Sequence, residues 1–231
     1  MNVPPDFAAV LAPWLRTTAS RRQPVLVTGT DTGVGKTVVS ALLLQLAADL
    51  GLRPGYYKPF ETGCLGRVGS LASAELASIL TLAGAAVGTR VSSPYRMQLP
   101  ASPYTAAMKE GIVFDWRRLD DDLQRLQGAC DLVVVEGAGG LMVPIERELT
   151  YADLLLRWGL NPLLVVGNRL GCINQALLTL AQCKHCGYCA PLVVVNQLHD
   201  QPPAPAESTN LWTLAAVLGR PVVPLGFLHA D

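Results

Sequence analysis

The chain has 231 residues, half of them hydrophobic and 16% charged, and its 18 basic and 18 acidic side chains give a formal net charge of zero. That length supports one α/β domain with a full core, and that composition excludes a disordered chain. The balanced charge, with no dense basic block, argues against nucleic acid or an anionic membrane as the main partner, and no apolar run approaches the roughly 20 residues that span a bilayer.

Residues 1–23 lack a basic start followed by an apolar core, so they do not read as a secretory signal. They are expected to form an extension with a short helix over 6–16. In that helix Phe7, Val10, Leu11 and Trp14 share one face, and Pro13 introduces strain.

An apolar strand at 25–28 then runs into Gly29-Thr30-Asp31-Thr32-Gly33-Val34-Gly35-Lys36-Thr37, followed by a helical stretch over 36–50. A strand, a glycine-rich turn and a helix that starts on Lys-Thr form the context of a phosphate-binding loop. Backbone N–H groups of such a turn converge on phosphates, and Gly33 and Gly35 let the backbone approach without a Cβ. Lys36 reaches the β- and γ-phosphates, and the Thr37 hydroxyl is placed to ligate Mg²⁺. Thr30 stands where the standard loop has its first glycine, with Gly29 one residue earlier, which indicates the branch with a modified loop. Partition and positioning ATPases of that branch carry a signature lysine five residues before the Gly-Lys-Thr lysine. Here that position is Asp31, so the loop argues for ATP chemistry and against that subgroup.

Further strands are expected at 55–58, 132–135, 163–166, 192–195 and 222–225, and helices at 71–82, 115–126, 151–158, 174–186 and 207–218. The strands are largely apolar, as strands covered on both faces are. Alternating βα units imply a phosphate-loop NTPase-like α/β fold, a mainly parallel sheet with helices on both faces, in which ligands bind at the carboxyl ends of the strands. The stretches 60–70 and 197–205 are expected to be irregular, and residues 24–231 to form a single ATP-binding domain.

The strand ends carry the remaining chemistry. Lys58 ends the second strand, ahead of a rigid proline and the Thr62-Gly63 turn, where a cation stabilises developing negative charge. Glu136 ends the buried run 132–135 and precedes Gly137-Ala138-Gly139-Gly140; an acid there serves Mg²⁺, and the glycines let backbone touch a small substrate. Asn168 to Asn174 lead into a helix whose N-terminus suits a carboxylate. Asn196, at the end of the fifth strand, has an amide that matches an adenine edge. Of the six cysteines, Cys183, Cys186 and Cys189 form a triplet without a fourth ligand, so they are expected to be structural, and free thiols fit a cytoplasmic location.

Together these segments resemble the dethiobiotin synthetase family. The matching pieces are 29–37, Tyr-Lys-Pro-Phe-Glu-Thr-Gly at 57–63, Ala-Ser-Pro at 101–103, Glu-Gly-Ala-Gly-Gly at 136–140, Leu-Gly-Cys-Ile-Asn at 170–174 and Asn196, in family order over about residues 25–226. The resemblance implies a homodimeric, cytoplasmic ligase of biotin biosynthesis. It would use Mg²⁺ and ATP to carboxylate 7,8-diaminononanoate with CO₂ and close the ureido ring, through a carbamate and a carbamic-phosphoric anhydride. It implies Lys36, Lys58 and Thr32 as catalytic residues, residues Gly29 to Thr37 and Asn196 as the ATP site, and Thr37 and Glu136 as metal ligands. Thr62 and Gly139 would bind substrate, with Gly171, Cys172, Ile173 and Asn174 of the other subunit on its carboxylate. Three positions depart from the family pattern. Ala74, with Glu75 beside it, replaces a metal-ligating aspartate; Gly33 replaces a frequent glutamate; and Ser208 aligns near an aromatic residue that contacts the substrate carboxylate in some members. The alternative reading is a divergent phosphate-loop ATPase that acts as a positioning or binding module or on another small amine or acid.

Overall fold

The computed structural model describes residues 3–67, 70–83 and 89–228, and of residues 67, 70, 74 and 75 the backbone alone. In chain order the elements are α1 (Pro5–Ser20), β1 (Val25–Gly29), α2 (Lys36–Asp49), β2 (Pro54–Tyr57), β3 (Phe60–Glu61), β4 (Leu65–Arg67), β5 (Ser70–Ala72) and α3 (Ala74–Leu82). Next come β6 (Arg90–Ser92), β7 (Tyr95–Arg96), α4 (Pro103–Glu110), α5 (Trp116–Ala129), β8 (Leu132–Gly140), β9 (Pro144–Glu146), β10 (Leu149–Thr150) and α6 (Tyr151–Arg157). The chain continues through β11 (Asn161–Gly167), α7 (Cys172–His185), β12 (Leu192–Asn196), α8 (Pro205–Leu218) and β13 (Val223–Leu225).

Among the described residues the main sheet has seven strands in the order β13-β12-β11-β1-β8-β2-β6, and every neighbouring pair is parallel. Alternation along the strands divides the core. Val25 and Val27 of β1, Val134 of β8 and Val165 of β11 face a layer built from α1, α2 and α3. Leu26, Val133 and Val135 face α4, α5 and α6, and Leu164, Val166, Val193 and Val195 face α7 and α8. This is the sheet with helices on both faces that the alternating pattern predicts.

Register sets the functional edge. Tyr57 pairs with Val135, so Lys58, the residue just past β2, stands beside Glu136 within β8. Val27 pairs with Glu136, and Gly29 with both Gly140 and Val165, which seats the loop after β1 between the ends of β8 and β11.

Local differences from the sequence expectation have identifiable causes. The first helix runs on to Ser20 in spite of Pro13 and buries Phe7, Leu11, Leu15 and Thr18, while Val10 is exposed. Pro13 sits on the solvent side, where its missing N–H costs the helix least. The helix expected from residue 71 begins at Ala74 instead. Ser70–Ala72 pairs with β4 as an antiparallel ribbon, and Ser73 caps α3 by accepting the Leu76 N–H. The stretch 60–70 is therefore not wholly irregular, since it holds β3 and β4. The helix expected from 174 starts two residues earlier, at Cys172.

Candidate active site

A cavity of about 650 Å³ opens at the carboxyl edge of the sheet. Its walls are Thr32, Gly33, Gly35, Lys36 and Thr37 from the phosphate loop, Lys58 and Thr62 after β2, Glu136 to Gly139 from β8, Val143 and Pro144, and the segment Pro100-Ala101-Ser102-Pro103 that starts α4.

The phosphate loop is shaped by its glycines. Gly35 has φ +93° at the start of α2, and a Cβ there would lie 2.2 Å from the Asn196 amide nitrogen. Asn196 is buried and donates from Nδ2 to the Val34 carbonyl at 3.0 Å, so the end of β12 secures the loop from below. Lys36 donates from Nζ to the Asp31 carbonyl at 3.0 Å. The Asp31 carboxylate accepts the Thr32 N–H at 2.7 Å and an Arg169 N–H at 2.5 Å. The Thr32 N–H and then Arg169 hold the acid below the usual carboxylate range. Burial pushes Lys36 down to about 8, with Glu136 opposing the shift and Lys58 adding to it.

Glu136 is the hub of the site and is 1% exposed. Its Oε1 accepts from Thr37 Oγ1 at 2.9 Å and from Lys58 Nζ at 3.1 Å, and its Oε2 accepts from Ser40 Oγ at 2.7 Å. A buried carboxylate demands such partners, since desolvating an unpaired charge is costly. A threonine hydroxyl and a carboxylate at the foot of a phosphate loop are hard oxygen donors. That donor set fits Mg²⁺, which in nucleotide sites takes few protein ligands and completes its shell with water and phosphate.

Of the residues singled out in the sequence, Thr32, Gly33, Gly35, Lys36, Thr37, Lys58, Thr62, Glu136 and Gly139 meet at this cavity. Gly29, Thr30, Asp31 and Val34 belong to the loop but not to the cavity lining, and Asn196 lies beneath the loop at the end of β12. The turn at Gly171 is not in its walls. Gly171 has φ +90°, Cys172 is fully buried in the core, and Ile173 and Asn174 occupy the first turn of α7, where N–H groups lack intrahelical acceptors. The side chains of Ala74 and Glu75 lie outside the described residues. Ser208 is exposed and donates to the Ala204 carbonyl. Cys183 is a core residue whose thiol burial pushes to about 11, Cys186 is half-buried and Cys189 exposed.

The sequence does not announce the part played by Ser40, and it offers Ala101-Ser102-Pro103 only as a matching segment with no helix or role attached. Ser40 looks like any helix residue until Glu136 is folded against it. Ser102 and Pro103 carry a helix-start signal, since Ser102 caps α4 by accepting the Thr105 N–H at 3.2 Å. No helix was expected there, yet the start of α4 forms one wall of the cavity.

A family model described as an AAA domain matches residues 23–225. The chain is 38% identical to the ATP-dependent dethiobiotin synthetase BioD of Serratia marcescens over 176 residues, 76% of this chain and 78% of that protein. It is 37% identical to the ATP-dependent dethiobiotin synthetase BioD of Chlorobaculum tepidum over 199 residues, 86% of this chain and 82% of the other. Among solved structures, the kinase domain of the Escherichia coli tyrosine kinase ETK superposes with a TM-score of 0.56 at 18% identity, covering 86% of this chain and 77% of that one. A ParA family ATPase from Chlorobium tepidum TLS gives a TM-score of 0.52 at 15% identity, with 90% and 85% covered. At those identities the structural likeness is one of fold alone.

Proposed function

Because the chain belongs to the dethiobiotin synthetase family, an ATP-dependent cyclo-ligase family of biotin biosynthesis, we propose that it converts 7,8-diaminononanoate, CO₂ and ATP to dethiobiotin, ADP and phosphate. The observation that supports this reading most is the convergence of Lys36, Lys58, Thr37 and Glu136 on one cavity that also offers Thr32, Thr62 and the Gly139 backbone.

The chemistry follows from these groups. One amine of the diamine adds to CO₂, forming a C–N bond and releasing a proton, to give a carbamate. A carbamate oxygen attacks the γ-phosphorus and ADP leaves, giving a carbamic-phosphoric anhydride. The second amine then attacks the carbonyl carbon, forming the second C–N bond and releasing a proton, as the C–O bond to phosphate breaks and the ureido ring closes. Lys36 leaves the Asp31 carbonyl to neutralise the phosphates, and Lys58 holds the carbamate and its phosphorylated form. Thr32 and Thr62 donate to the reacting groups, and Gly139 gives the diamine a wall without a side chain. Thr37 and Glu136 would hold Mg²⁺, which when bound neutralises charge on the transferring phosphoryl group. Much of the acceleration comes from assembling two amines, CO₂ and phosphate in one place.

Residues 24–231, with α1 packed into the same core, act as one synthetase domain in a homodimer. The α7 N-terminus, Gly171 to Asn174, binds the distant carboxylate of substrate held by the partner, and Asn196 borders the adenine. The reading is tested by ADP release from Mg-ATP and bicarbonate, with and without 7,8-diaminononanoate, with dethiobiotin identified by mass. Diamine-dependent ADP with stoichiometric dethiobiotin is the expected result. Nucleotide binding without diamine-dependent turnover would refute the substrate assignment.

A further inference from the structure

The two oxygens of Glu136 face different surroundings. Oε1 meets Thr37 and Lys58, both of which line the cavity. Oε2 meets Ser40, which lies behind it. Ser40 stands one helical turn after Thr37 on α2, has no exposed surface, and donates from Oγ to Oε2 at 2.7 Å. The last torsion of a glutamate is broad, so the side chain itself does not fix which way the carboxylate plane points. Hydrogen bonds must fix it, and those to a charged acceptor are the strong ones.

We propose that Ser40 is a positioning residue for the metal-nucleotide site: by pinning Oε2 of Glu136 it turns Oε1 toward Thr37, Lys58 and the cation. The proposal rests on the reading of the cavity as a Mg²⁺-nucleotide site and not on the identity of the amine substrate. It also accounts for a fully buried hydroxyl in a helix whose other buried positions after Thr37 are Val39, Ala41, Leu42, Leu43, Leu44, Leu46 and Ala47. Without Ser40, Oε2 keeps its charge and loses this donor, so the carboxylate is free to turn toward other donors, among them the neighbouring buried Tyr56 hydroxyl.

The test is equilibrium binding of a fluorescent ATP analogue to the full-length protein, titrated with Mg²⁺ and without diamine, so that turnover plays no part. Ser40→Ala is expected to raise the Mg²⁺ concentration at half-saturation about tenfold, the scale of one hydrogen bond to a charged group. Affinity for the analogue in EDTA is expected to stay within about twofold. Ser40→Cys, close in size with a weaker donor, is expected to give a smaller rise in the same direction, which keeps the test open should the alanine variant not fold. In a Glu136→Gln background, Ser40→Ala is expected to add little, because its effect passes through the carboxylate. A half-saturation unchanged in both serine variants, or an equal rise in the Glu136→Gln background, would overturn the proposal. A wild-type protein whose nucleotide binding ignores Mg²⁺ would overturn the metal-nucleotide reading itself, and this proposal with it.

Discussion

Replacing Lys58 by methionine tests both the energetics and the chemistry of the site. Lys58 and Glu136 form an ion pair at 3.1 Å whose side chains are 4% and 1% exposed. Removing one member of a buried pair costs about 3–5 kcal/mol, because the other charge stays in place without its counter-charge. Glu136 still accepts from Thr37 and Ser40, so the cost belongs at the lower end, about 3 kcal/mol. In a domain of this size that lowers the melting temperature by roughly 6–12 °C. Neutralising the acid as well, in Lys58→Met/Glu136→Gln, is expected to recover about half of the loss, since no buried charge remains in the pair. Urea unfolding of the wild type, both single variants and the double variant gives the coupling directly. A single-variant cost under about 1 kcal/mol, or strictly additive losses, would show that the pair is not the buried contact described. The same variant is expected to lose diamine-dependent turnover by at least about a hundredfold, the scale of one electrostatic donor, while still binding nucleotide. Loss of nucleotide binding would instead place Lys58 on the ATP side of the reaction.

Lys36, pushed down to about 8 by burial, is partly neutral above that pH and regains its proton beside a triphosphate. Nucleotide binding at pH 9 is therefore expected to take up a proton, and affinity to fall as pH rises through 8. Calorimetry in buffers of different protonation enthalpy measures this, and absence of uptake contradicts the burial effect. The same shift implies that the unfolded chain holds the extra proton from about pH 8 to pH 10.5, so this residue's contribution to stability rises with pH across that window. Gly35→Ala puts a Cβ 2.2 Å from the Asn196 amide at φ +93° and is expected to abolish tight nucleotide binding, as read by fluorescence titration. Gly139→Ala brings a Cβ to 2.8 Å from Val143 Cγ2 and 3.6 Å from Thr32 Oγ1, and is expected to raise the KM for the diamine more than that for ATP. Phe60→Ala removes a fully buried ring stacked on Tyr95 and tilted against Phe114, costing about 3–5 kcal/mol in thermal unfolding.

The central strands were legible because burial on both faces writes them as unbroken apolar runs: 25–28, 132–135, 163–166 and 192–195 all fall inside strands of the sheet. The site residues at their ends were legible for a related reason. A polar residue that directly follows such a run, as Lys58, Glu136 and Asn196 do, is placed at the functional edge by the parallel topology alone. What the sequence hid was short or long-range. β6, β3 and β7 are two or three residues each, too brief for any periodicity to register. β8 runs on to Gly140 because glycines that read as a turn can also pair beside Gly29. Ser40 shows the long-range case. Its spacing from Thr37 is ordinary for a helix, and its meaning arises only when a carboxylate 96 residues later in the chain is brought to 2.7 Å. The groups that touch ligands are announced by their place at strand ends. The groups that hold those groups still are scattered through elements whose local pattern is set by the core, and they become visible only when the buried hydrogen bonds are traced one by one.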